Sequence, residues 1–147
     1  MQRKATVRRG AGFTLVELMV TVGIVGILAA IAIPAYSAFV RQSNRTDATR
    51  TMLADAQALQ RCYSQNFTYT PAPPCPTPAG TTTSPGGFYS ITITIPTATT
   101  YTISATPLTT PQTADKPCKS FTLLSTGQQS SLDSGGADST KTCWGSQ

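Results

Sequence analysis

The chain opens on a long apolar stretch and then changes its period twice. From Phe13 to Val40 almost every side chain is apolar or small, and Glu17 is the only charged one. A helix of about 20 such residues crosses a bilayer, so the stretch is long enough to anchor the chain in a membrane. Beyond Val40 the apolar continuity stops, but a helical period persists in Ala48, Met52, Ala56, Leu59 and Tyr63, spaced by three or four. Arg41, Arg45, Asp47, Arg50, Asp55 and Arg61 interleave with them, as on an amphipathic helix whose apolar stripe covers a core. Together the two patterns predict one helix from about Thr14 to about Gln65, its first half in a membrane and its second half on a globular domain.

The period then shifts. Between Asn66 and Gly87 the prolines at 71, 73, 74, 76, 78 and 85 deny regular ladders and predict a loop with local polyproline II character. Tyr89 to Ile95 alternates apolar and polar, predicting a half-buried strand with Tyr89, Ile91, Ile93 and Ile95 inward. Tyr101, Ile103 and Ala105 repeat the alternation after a turn near Pro96 to Thr99, which completes a hairpin. Phe121 and Leu123 predict a third strand ending before Gly127, so the sheet should occupy about 89–124. The rest, Gln128 to Gln147, is polar apart from Leu132 and Cys143-Trp144. A helix followed by an antiparallel meander of three or more strands is an α+β domain with the helix packed on the sheet.

Charge changes this picture through its placement. The formal net charge is +5, yet Arg3, Lys4, Arg8 and Arg9 all precede the apolar stretch, and no acid accompanies them. Without that leader the chain is close to neutral, so a nucleic-acid function does not follow from the overall basicity. Positive residues ahead of a span hold that end in the cytoplasm, which places the bulk of the chain on the other side. Cys62, Cys75, Cys118 and Cys143 lie in that translocated part, where disulfides persist. Four cysteines allow three pairings. With no histidine and no Cys-x-x-Cys the set does not suit zinc. Staples of this kind matter for a small exported domain rich in Thr, Ser and Pro.

The most specific local signal is Gly12-Phe13-Thr14-Leu15-Val16-Glu17 directly after the basic leader. A secretory signal has an apolar core of only about 7–15 residues, and a generic anchor gives no reason for a glutamate there. A carboxylate inside such a span costs roughly 2.5–3.5 kcal/mol or more, so it marks a functional residue by default. The arrangement resembles the class III signal of the type IV pilin family. The resemblance covers about the first 45 residues and implies that 1–12 is a leader removed by a prepilin peptidase. The cut then falls between Gly12 and Phe13, with Phe13 becoming N-methylated. Residues 13–40 become the transmembrane and assembly helix, and 41–147 the periplasmic head: amphipathic helix 41–65, αβ-loop 66–88, sheet 89–124, and a C-terminal region bounded by a disulfide at 118–143.

The same resemblance assigns roles. Glu17 is expected to pair with the terminal amine of a neighbouring subunit and so set register during assembly. A contact with the chain's own terminus is the plainer alternative. Pro34 is expected to kink the helix, and Gly26 to Pro34 to lose helicity when subunits pack. The disulfides are expected as Cys62–Cys75 and Cys118–Cys143. Partners implied are other pilin subunits, the peptidase, the inner-membrane assembly machinery and, before assembly, the lipid bilayer. Neither a cofactor nor a metal is expected. Cysteine placement and Cys143-Trp144 are similar to the PilE-type minor pilins.

The residues bear on three other functions. Lys116, Lys119 and Lys141 flank the C-terminal cysteines and are candidate DNA contacts, since phosphates need lysine or arginine; Asp115, Asp133 and Asp138 are expected to offset them. A type II secretion pseudopilin shares the N-terminal signal, but Asp133-Ser134-Gly135-Gly136-Ala137-Asp138 supplies few calcium ligands and no EF-hand pattern. An enzyme is not expected, because no nucleophile has a recognisable partner. Asn44-Arg45-Thr46 and Asn66-Phe67-Thr68 match glycosylation sequons by chance.

Overall fold

The structure, a computed structural model, describes residues 12–70 and 79–145. It separates into two compact units, Met1–Tyr36 and Ser37–Gln147. A single helix, α1 (Leu15–Asn66), contributes to both and carries Pro34 within it. Its start has a clear local cause: the Thr14 hydroxyl oxygen accepts the Glu17 backbone N–H at 3.2 Å, as an N-cap does. Its end is marked by Phe67, whose φ of 55° takes the left-handed conformation usual after a helix. The Phe67 N–H donates to the Tyr63 carbonyl at 2.7 Å.

In the second unit the apolar stripe of α1 faces a five-stranded sheet. The strands β1 (Gly80–Thr83), β2 (Tyr89–Thr97), β3 (Thr100–Pro107), β4 (Ser120–Leu124) and β5 (Gln129–Leu132) follow one another as an antiparallel meander. A short helix, α2 (Thr140–Trp144), follows. Ala48, Met52, Ala56 and Leu59 from α1 are buried together with Tyr89, Ile91, Ile93, Tyr101, Ile103, Ala105, Phe121 and Leu123 from the strands. Rings then fill the ends: Tyr89 meets Phe121 edge-on at 5.7 Å, and Phe121 meets Trp144 at 5.8 Å.

The other sheet face explains the threonine-rich composition. Register places Thr81, Thr92, Ser104, Thr122 and Ser130 side by side across all five strands. β-branched hydroxyl residues suit a pleated surface that faces water on one side.

Several expectations need correction. The segment read as loop 66–88 contains a strand, β1, because Gly80–Thr83 pairs with β2 through backbone bonds that its uniformly polar side chains do not announce. Ile95 packs against the core as expected, though only partly buried, but Pro96 belongs to β2 rather than to the turn. The register shifts between Thr94 and Thr97, where a residue without an N–H is tolerated. The turn therefore narrows to Ala98-Thr99. The polar tail after Gln128 holds both β5 and α2.

Candidate functional site

Two places in the chain carry unusual chemistry. The first is the apolar length of α1. Its large apolar side chains from Leu15 to Phe39 are exposed, from Ile24 at 54% to Leu15 at 73%. The helix is long and apolar enough to cross a membrane. Gly12 and Phe13 lie just ahead of it, outside regular secondary structure. Glu17 sits in its first turn, exposed, where the free N–H groups and the helix dipole favour a carboxylate. Thr14 and Glu17 thus form half of a capping box, a signal present in the sequence as Thr-x-x-Glu.

The second place is the C-terminal part of the head. Cys118 and Cys143 are joined by a disulfide with a Cα–Cα separation of 5.7 Å, which ties the segment before β4 to α2. Cys62 is buried near the end of α1 and is itself disulfide-bonded. Cys75, its expected partner, lies outside the described residues.

Beneath this region lies a polar network that periodicity could not reveal. Arg45 on α1 grips Asp115 with two charge-assisted bonds, Nε to Oδ2 and Nη2 to Oδ1, both 2.8 Å. The Asp115 side chain is 1% exposed and that of Arg45 14%. Gln112 is fully buried beside them. Its amide nitrogen donates to the Tyr89 hydroxyl at 2.6 Å and to the Arg41 carbonyl at 3.1 Å. Burial pushes the Tyr89 phenol up, although its bond to Gln112 opposes this.

This network corrects the electrostatic expectation. Asp115 was expected among the surface acids offsetting Lys116, Lys119 and Lys141. It is instead withdrawn from the surface and neutralised by Arg45. The three lysines are exposed around the disulfide, and Lys119 Nζ donates to the Thr113 carbonyl at 3.0 Å. Of the remaining acids, Asp133 accepts the backbone N–H groups of Gly135 and Ala137. Asp138 accepts from Thr140; those bonds, with a smaller contribution from Lys141, hold its carboxyl below the usual range. Among the described residues no group of three or more His, Cys, Asp or Glu side chains could hold a metal ion.

Comparisons with known proteins divide along the same line. The family described as "Type IV minor pilin ComP, DNA uptake sequence receptor" matches residues 34–122. The prokaryotic N-terminal methylation motif matches residues 7–33. Prepilin peptidase-dependent protein D of Escherichia coli is 47% identical over 51 residues, 35% of each chain. The type IV major alpha-pilin of Moraxella bovis is 46% identical over 57 residues, 39% of this chain and 36% of that one. The chain thus spans about a third of the length of these curated relatives. A solved type IV pilin from Shewanella oneidensis covers 60% of this chain and 89% of its own, with 29% identity and a TM-score of 0.47.

Proposed function

The chain belongs to the type IV minor pilin family whose description reads ComP, DNA uptake sequence receptor, and from that premise we propose that it is a minor structural subunit of a type IV pilus. Its work is assembly rather than catalysis. The observation that carries this reading is the exposed apolar helix with a single carboxylate in its first turn. In water such a surface is untenable; in a bilayer or a filament core it is buried. Before assembly the helix lies in the inner membrane with the head in the periplasm. Prepilin peptidase removes residues 1–12 and methylates the amine of Phe13. The inner-membrane assembly machinery then transfers the subunit into the pilus, where it contacts other pilin subunits.

Glu17 is the register device. Lipid makes an unpaired carboxylate costly, and the methylated amine of a neighbouring Phe13 is a cation that relieves the cost. Pro34 lacks the N–H of a regular turn, so residues between Gly26 and Pro34 are the ones expected to yield when subunits pack. Mass spectrometry of the N-terminal peptide of pilus-associated protein tests the framework. N-methylated Phe13 is the expected first residue, and any other mature start would overturn it.

A second reading is favoured by one observation. With Asp115 paired to Arg45, the exposed charge around the C-terminal disulfide is more positive than composition implies, so Lys116, Lys119 and Lys141 are available to phosphates. This supports reception of DNA by the head, in keeping with the family's description.

A further inference from the structure

We propose that one backbone strand of duplex DNA seats in a groove between the outer flank of α1 and the β4–β5 turn, with Arg61 and Lys141 as its phosphate contacts. The proposal rests on the DNA-receiving reading and locates it. Two hollows of about 560 and 550 Å³ adjoin at Gly127 and Gln129, which line both. Gln57, Gln60 and Arg61 line one end, and Lys141 and Trp144 the other.

Charge complementarity selects the occupant. Neither hollow is lined by an aspartate or glutamate, while each contributes one cation. Arg61 and Lys141 are both exposed. Asp138 stays a charged carboxylate that interacts with Lys141 while accepting from the Thr140 hydroxyl and N–H, but it lines neither hollow. Between the cations the exposed Gln57 and Gln128 offer amide donors to phosphate and sugar oxygens, the groups through which proteins position a duplex. An acid-free groove with amide donors between two cations suits a polymer carrying regularly spaced negative charge. Trp144 is held rigidly at its wall. The indole N–H donates to the Ser130 carbonyl at 2.9 Å, and the ring meets Phe121 edge-on.

Trp144 is the chain's single tryptophan, so its emission reports occupancy of this groove directly. The experiment titrates full-length protein in detergent micelles with a short labelled duplex at low salt. It follows label anisotropy and tryptophan emission together. The expected result is one midpoint for both signals. Arg61→Gln and Lys141→Gln should each reduce the slope of log affinity against log salt by about one. Gln57→Glu, on an exposed position of α1, should weaken binding while leaving thermal unfolding unchanged. Anisotropy without an emission change, with the slope altered only by Lys116→Gln or Lys119→Gln, would overturn the groove and leave DNA reception standing. No binding by either signal would remove both. An equal tryptophan response to polyglutamate of matched charge would overturn the assignment to DNA in favour of an acidic peptide.

Discussion

Asp55 shows how little a sequence position reveals about a charge. It sits on the flank of α1, half-buried, and loss of solvation raises its carboxyl above the usual carboxylate range. Because the folded value exceeds the unfolded one, the native chain binds more protons between them, and stability falls as pH rises through the folded value. Asp55→Asn should therefore raise the denaturation midpoint at neutral pH. The gain should vanish below the ordinary aspartate value of 3.8, where both states are protonated. Arg45 behaves oppositely. Truncating it to alanine strands the buried Asp115 carboxylate, at an expected cost of about 3–5 kcal/mol. Arg45→Ala with Asp115→Asn should recover part of that loss in urea denaturation. A double variant as unstable as the sum of the two singles would refute the coupling.

The strands and helices hold one another through a few fixed points. Asp47 of α1 accepts the Gly86 N–H with both oxygens, at 3.1 and 3.2 Å, and so fastens the β1–β2 turn to the helix. A Cβ on Gly86 would stand 2.8 Å from Asp47 Oδ2 and 2.8 Å from the Phe88 ring. Gly86→Ala should cost about 1–3 kcal/mol by overpacking, read as a lowered melting temperature. Combined with Asp47→Ala it should cost less than the two separately, since both act on one clamp. At the other end, Tyr69 N–H donates to the Ala98 carbonyl at 2.7 Å, and its ring stacks on Tyr63 and meets Tyr101 edge-on. The chain leaving α1 is thereby fixed to the β2–β3 turn.

Under the proposed assembly role, residence in a membrane and in a filament would place opposite demands on Glu17. Glu17→Ala removes the penalty of a carboxylate in lipid, so membrane fractions should contain at least wild-type amounts of the variant. If register depends on pairing with a neighbour's Phe13 amine, sheared pili should be depleted of it several-fold. Equal recovery in sheared pili would argue that Glu17 contacts only its own chain terminus. If the head also receives DNA, that task should be separable from assembly. A subunit altered at Arg61 or Lys141 should assemble normally while losing salt-sensitive DNA binding.

What the amino-acid order determined alone was everything encoded by short-range pattern. The apolar stretch with Glu17, the stripe from Ala48 to Leu59, and the alternation in β2 and β3 all follow from periods of 3.6 and 2 along the chain, and the structure places these elements where the periods predict. β1, β5 and α2 escaped because backbone pairing and tertiary packing, not apolar side chains, make them regular. The tertiary structure alone decided which charges matter. Arg45 and Asp115 lie 70 residues apart, and Arg61 and Lys141 further still, so no local rule joins them. Folding buries Asp115 against Arg45, leaves the lysines around the disulfide uncovered, and opens beside them an acid-free groove. Burial and long-range proximity set the effective charge of a side chain, and neither is written in its neighbours.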